Sequence, residues 1–288
     1  MRVRPNPLPW TYRWRSNLIH VPLMTVITVA CGSLSLLVSL VDKKGNAQHR
    51  IARFWAQGCI WASGSKLRLV GAENLRKHPV AVYASNHTSY MDTPVIFAAL
   101  PFQFRILART VLWPIPFIGW YLNRSKQIPI DTNNPRATLS SLGAGVKALR
   151  SGMALFVFPE GGRTQNGELK PFLSGAAYLA IRAQVPLVPM ALSGVYELLP
   201  IHTRHFYPGE LTLTIGEPIE TAGMSLRQAD ELTARLREAI ESLRVGQRAE
   251  ASSTIGVKGG RPRLLTRSDN VFRVFGLAVA AGGADHVR

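Results

Sequence analysis

Cysteine and acidic residues are both scarce in this chain. Only Cys31 and Cys59 occur among 288 residues, each in apolar surroundings and outside any C-x-x-C spacing. Neither a disulfide framework nor a zinc site is therefore indicated, and a reducing, cytoplasm-facing location is the default. Asp and Glu total 17 against 34 Lys and Arg, a formal charge of +17. An excess of that size attracts nucleic acid or anionic lipid. No zinc-finger, RRM or basic-zipper pattern is present and the basic residues are spread along the chain, so no nucleic-acid partner is expected. The sequence also lacks GxxxxGK[ST], GxGxxG and GxSxG, which removes sequence support for nucleotide binding and for a serine-hydrolase elbow.

What the chain has instead is apolar material. It is 47% hydrophobic with mean hydropathy +0.07, enough for a sizeable core plus one membrane-attached segment. "VPLMTVITVACGSLSLLVSLV", residues 21–41, carries no charge. At 1.5 Å per residue such a run makes a helix of about 30 Å, close to the hydrocarbon thickness of a bilayer. Arg13 and Arg15 precede it, and Lys43, Lys44, Arg50 and Arg53 follow it, so the positive-inside rule assigns no orientation. The next segment, "IARFWAQGCIWASGSKLRLV", is amphipathic and suited to an interface. Residues 1–64 are thus expected to form a helical membrane anchor, either a single span or a hairpin entering one leaflet.

From residue 65 short β-rich runs alternate with helical stretches up to about 244. "LRLVGAENL", "VAVYASN", "KQIPID", "MALFVFPEG", "VPLVPMALSG" and "ELTLTIGEPI" read as strands. "TPVIFAAL", "PRATLSSLGAGVKALRSG" and "GAAYLAIRAQ" read as helices, as does "SLRQADELTARLREAIESLR" with Leu226, Leu232, Leu236 and Ile240 inward. Alternation of this kind indicates an α/β fold, a mostly parallel sheet flanked by helices. Residues 245–288, basic and rich in Gly and Ser, are expected to be a disordered tail. Its "VFRVFGLAVAA" is the one apolar stretch there.

Two motifs carry chemistry. In "NHTSYMD", His87 follows a strand and Asp92 stands where the next helix opens. A carboxylate on one imidazole nitrogen fixes the tautomer and leaves the other free as a base. Equally, Ser89-x-x-Asp92 has the form of a capping box that satisfies only backbone N–H groups. In "FVFPEGGRT", Pro159, Glu160, Gly161, Gly162 and Arg163 end a buried strand. Glycines let a backbone approach a ligand, and an arginine there presents a fork suited to phosphate. A turn with a solvated ion pair reads the same residues without function. "HTRH", His202 and His205, has a spacing that can bind metal on a helix, but Pro200 and Pro208 around it point to a loop.

Taken together, "NHTSYMD", "FPEGGRT", "VPLVPMAL" and "ARTVLWPIPFIGWYLNRSKQIPIDT" resemble the four blocks of the glycerolipid acyltransferases, and more narrowly the PlsC-type 1-acyl-sn-glycerol-3-phosphate acyltransferases. The resemblance covers residues 65–220. It implies that His87, oriented by Asp92, takes a proton from lysophosphatidic acid. The acceptor oxygen then attacks an acyl thioester, acyl-CoA or acyl carrier protein, and phosphatidic acid forms. No metal, cofactor or covalent acyl-enzyme is implied. Glu160, Gly161 and Arg163 match the acceptor block, Gly119 lies in the block ending at Asp131, and Pro186 and Pro189 match the block linked to the acyl donor. Two departures stand out. Thr132 replaces a frequent arginine and Arg109 a frequent lysine, so either Arg124 or Lys126 supplies the missing cation or the acceptor headgroup differs. Gly162 replaces a frequent threonine, a milder change. The alternatives are another acceptor (glycerol-3-phosphate, another lysophospholipid, a lyso-ornithine lipid) or a non-catalytic lipid-binding protein. The resemblance places the protein at the cell membrane in phospholipid biosynthesis, its catalytic domain facing the cytoplasm against an anionic surface.

Overall fold

The computed structural model describes residues 10–256, except 116, 132, 202 and 204. In chain order the helices are α1 (Trp10–Arg15), continued by a π-helical turn (Ser16–His20) into α2 (Val21–Val38), then α3 (Asn46–Ala62), α4 (Glu73–Lys77), α5 (Asp92–Ala99), α6 (Ile118–Arg124), α7 (Pro135–Arg150), α8 (Gly175–Ala183), α9 (Val195–Leu198) and α10 (Ala229–Gly256). The strands are β1 (Lys66–Val70), β2 (Val82–Ser85), β3 (Phe104–Arg109), β4 (Ile128–Ile130), β5 (Ala154–Val157), β6 (Leu187–Ser193) and β7 (Glu210–Ile215).

The seven strands form one sheet in the order β1-β7-β6-β2-β5-β3-β4. From β6 to β4 every pairing is parallel; β7 runs antiparallel to β6, and β1 pairs with β7 in parallel. Strand alternation divides the core into two layers. Tyr83 of β2 faces the side covered by Ala56 and Ile60 of α3 and Val95 and Ile96 of α5. Val82 and Ala84 face the side covered by α7, α8 and Leu232, Leu236 and Ile240 of α10. Each central strand is thus buried on both faces, which is why β2 and β5 are wholly apolar or small along their length.

Several expectations are revised in detail. "LRLVGAENL" is a strand only to Val70. Gly71 adopts a left-handed φ of +72° and turns the chain into α4. "FRILAR" is a strand that the sequence concealed, because Arg105 interrupts its apolar run; its guanidinium is buried and donates to the Ser125 carbonyl. Leu226 does not face the core: it is exposed in a short 3-10 turn, and α10 starts only at Ala229. That helix continues past residue 245 to Gly256 on good helix formers such as Arg248, Ala249, Glu250 and Ala251. The segment "VFRVFGLAVAA" lies outside the described residues.

At the N-terminus, residues Thr11–Val38 form a helical stretch long and apolar enough to cross a membrane; its apolar 18-residue window has mean hydropathy 2.1 and is only 11% buried. It is a candidate membrane anchor. Asp42 turns the chain into α3 by accepting from the Gly45 and Gln48 amides at 2.9 and 3.0 Å. Trp55 of α3 donates back to Thr28 of α2 at 3.0 Å. Unlike α2, α3 buries Ala52, Ala56, Cys59 and Ile60 in the same core layer as α5. The α/β core therefore begins before residue 65, with α3 as one of its covering helices.

Gly71 supplies a stability test. A β-carbon there would stand 2.2 Å from the Ile215 carbonyl oxygen, on a backbone already at positive φ. Gly71→Ala is expected to destabilise by at least about 1 kcal/mol, read as a lower urea midpoint with unchanged slope. An unchanged midpoint would show that the β1–α4 turn is not as tight as described.

Candidate active site

The five parallel strands direct their carboxyl ends to one edge of the sheet, where functional residues gather in open α/β sheets. His87 leaves the end of β2 and Glu160 the end of its neighbour β5. Adjacent strands thus deliver both motifs to one place.

His87 is fixed by ring and by backbone. Its Nδ1 lies 2.8 Å from Asp92 Oδ2. Asp92 is fully buried, and the same oxygen accepts from the Thr88 and Ser89 amides at 2.5 and 2.8 Å. Both readings of "NHTSYMD" are therefore present in one carboxylate. It satisfies the amides of the turn, including that of Ser89, and it orients the imidazole. Ser89 is not the N-cap, however; Met91 precedes the helix, and Pro94 falls within the first turn, where no amide is needed. The hydrogen bond to Nδ1 leaves Nε2 outside the contact with Asp92. Phe158 stacks on the ring at 3.9 Å and 14°, restricting its rotation.

The His87 backbone is held by the neighbouring loop. Its N–H donates to Glu160 Oε1 at 2.7 Å, and its carbonyl accepts from the Thr164 amide at 2.9 Å. The second Glu160 oxygen accepts from the Lys170 amide at 2.9 Å. Glu160 is buried, and burial pushes its pKa above the usual glutamate value, opposed by those two amide donors and by the nearby His87 and Lys170. Gly161 turns the loop at φ +67°, with Leu173 against it. Asn86 ties the other side: its Oδ1 accepts from the Leu192 amide at 2.8 Å and its Nδ2 donates to the Leu192 carbonyl at 3.0 Å. In effect the side chain continues the β2–β6 pairing beyond the strand.

Arg163 is exposed beside this cluster, its guanidinium 3.8 Å over the Tyr90 ring. Stacking uses the face of the fork and leaves its N–H edges for an anion. Arg109, exposed at the end of β3, lies on the same sheet edge. Arg124 and Lys126 do not. They precede β4 and so lie toward its opposite, amino end; Arg124 lines a cleft with α2, and Lys126 donates to the Lys43 carbonyl at 3.2 Å. Neither is brought to His87. Gly119 packs backbone to backbone, since a β-carbon there would fall 1.8 Å from the Trp113 carbonyl oxygen. Pro189 is a buried residue of β6, in register with Ala84, its carbonyl accepting from the Gly216 amide at 2.8 Å. Thr132 and His202 lie outside the described residues; His205 is in the loop between α9 and β7.

A protein-family description, "Acyltransferase", matches residues 66–193, the span that contains this edge. A 1-acyl-sn-glycerol-3-phosphate acyltransferase of Chlamydomonas reinhardtii is 30% identical over 235 residues, covering 80% of this chain and 67% of that protein. The chain belongs to the 1-acyl-sn-glycerol-3-phosphate acyltransferase family. A second member, from Brassica napus, is 31% identical over 173 residues, 59% of this chain; the chain spans about half the length of that relative, 50%. The fold of this family member matches the crystal structure of the 1-acyl-sn-glycerophosphate acyltransferase PlsC from Thermotoga maritima, with TM-score 0.68 and 22% identity over 87% of this chain and all of that one.

Sequence reasoning missed Phe158, Asn86 and Tyr90 as parts of this cluster. Asn86 and Tyr90 stand within "NHTSYMD" and Phe158 within "FVFPEGGRT", so their positions were the available signal. It also cast Glu160 as an acceptor contact, whereas both of its oxygens are taken by backbone amides.

Glu160→Gln tests that strut. One amide N–H of the glutamine must face a backbone N–H, leaving a buried donor unpaired at roughly 1–3 kcal/mol. The pH dependence has a definite sign. With the folded pKa above the ordinary 4.5, the stabilising share is full below pH 4.5 and is lost as pH rises through the folded value. Urea titrations should show that falling slope in the parent and its absence in Glu160→Gln. Equal slopes would contradict the burial account.

Proposed function

We propose that this protein transfers a fatty acyl group from an acyl thioester, acyl-CoA or acyl carrier protein, to the sn-2 hydroxyl of lysophosphatidic acid, forming phosphatidic acid. The observation that carries the reading is the 2.8 Å contact from Asp92 to His87 Nδ1, at the strand end beside the loop that presents Arg163. His87 Nε2 removes the hydroxyl proton as the oxygen attacks the thioester carbonyl. Asp92 stabilises the imidazolium that forms. The tetrahedral adduct expels the thiolate, and the imidazolium returns the proton to sulfur, so ester and free thiol are the products. The reaction needs no metal or bound cofactor.

Arg163, with Arg109 on the same edge, is assigned to the acceptor phosphate. The exposed apolar helix Thr11–Val38 and the formal +17 support residence on an anionic membrane surface, with the catalytic edge on the cytoplasmic side. Relatives named for 1-acyl-sn-glycerol-3-phosphate support this acceptor. Thr132, where many relatives carry arginine, makes a different headgroup the alternative.

Purified protein in detergent, offered lysophosphatidate, glycerol-3-phosphate and lyso-ornithine lipid separately with acyl-CoA or acyl carrier protein, tests the reading. Transfer to lysophosphatidate should vanish in His87→Ala with acceptor binding retained. Asp92→Asn should lower kcat by roughly 10²–10⁴-fold, the range of general-base help. Transfer to another acceptor alone would move the substrate and keep the chemistry. Folded protein with no His87-dependent transfer would favour lipid binding without catalysis.

A further inference from the structure

The segment after Arg109 is unusual in what it leaves in water. Val111, Ile115, Phe117, Ile118 and Trp120 are each between 41% and 59% exposed. Isolated exposed apolar side chains are ordinary, but five large ones within ten positions form a patch that calls for a partner. The segment is also built to hold its shape. Phe117 sits at φ +63°, a region that a bulky residue occupies only when its surroundings enforce it. The Trp113 and Ile115 amides donate to the Thr110 and Leu112 carbonyls, and the Gly119 amide donates to the Ile115 carbonyl at 2.8 Å. Gly119 presses on the Trp113 carbonyl so closely that no side chain fits, and Phe117 and Trp120 pair with ring centroids 5.2 Å apart. A flexible loop would let its aromatics fold inward; this one displays them.

Two observations say what covers the patch. The first is continuity: Trp120 and Arg124 of α6 line one cleft of about 610 Å³ with Leu36, Leu37 and Leu40 at the end of the apolar N-terminal helix. Leu37, Leu40 and Val41 are themselves exposed. The second is charge. Exposed Arg109 precedes the segment, and exposed Arg124 lines the cleft that Trp120 shares with the apolar helix. An aromatic, aliphatic surface rimmed by cations is the chemistry of a bilayer interface with anionic headgroups.

We propose that residues 111–115 and 117–120 are a second membrane contact, carried by the α/β domain itself beside the end of the apolar N-terminal helix. The inference goes beyond the acyl-transfer reading and does not rest on it, and its test reads no turnover. Single cysteines are placed at Val111, Ile115 and Ile118 in the full chain and labelled with a polarity-sensitive fluorophore. The parent, whose Cys31 and Cys59 are buried, gives the labelling background. Leu139→Cys is the control, because Leu139 is equally exposed on α7, which covers the sheet face away from α3 and α5. The proteins are reconstituted in phosphatidylcholine–phosphatidylglycerol vesicles with and without brominated acyl chains. Labels at 111, 115 and 118 should shift to shorter wavelength and lose most of their emission to brominated lipid, while Leu139→Cys keeps its own. Emission at the three sites as insensitive to bromine as the control overturns the proposal. That includes a blue shift without quenching, which would mean that protein, such as a second copy of the chain, covers the patch.

Discussion

His87 has almost no freedom left, and the rest of the structure can be traced to that constraint. Its ring is held by the buried Asp92 carboxylate and by the face of Phe158. Its backbone amide and carbonyl are both taken by the loop from Glu160 to Thr164. For that loop to reach it, β5 must lie directly beside β2, as it does. For the turn after β2 to stand clear of the sheet, Asn86 must hold β6 on the other side, as it does. A sheet order with any other strand next to β2 would break one of these ties.

The same constraint separates two kinds of carboxylate. Asp92 and Glu160 are both buried, yet only Asp92 touches the imidazole; Glu160 works through the peptide group. Positive charge is sorted similarly. Arg163 and Arg109 stand at the carboxyl edge, while Lys126 is tied to the turn between α2 and α3. These three cations thus stand at two places, the carboxyl edge of the sheet and the side of the domain next to the apolar helix.

Much of this was legible in the sequence, for identifiable reasons. β2, β5 and β6 are short apolar runs that end in motif residues, so their strand character and the placing of His87 and Glu160 at strand ends followed from pattern alone. The spacing of His87 and Asp92 announced a local contact. What stayed hidden depended on tertiary partners. β3 carries Arg105, whose burial makes sense only once the Ser125 carbonyl arrives to accept from its guanidinium, while Gln127 accepts from the adjacent Ile106 amide. The inward role of Glu160 depends on the amides of His87 and Lys170, far apart in sequence. Arg124 and Lys126 read as near the site because they are near in sequence to Asp131, but a β-strand separates them from the edge where the chemistry gathers. The reversal of β7 against β6 likewise leaves no mark in an alternating strand such as "ELTLTI".

The proposed chemistry requires His87 to carry its proton on Nδ1, facing Asp92, and to leave Nε2 free. Nitrogen-15 NMR of histidine-labelled protein, with the His87 resonance assigned by loss in His87→Ala, reads the tautomer directly through its two-bond couplings. The Nδ1–H tautomer in the parent, giving way to a mixture in Asp92→Asn, is the predicted result. A neutral His87 protonated on Nε2 in the parent would contradict the central claim.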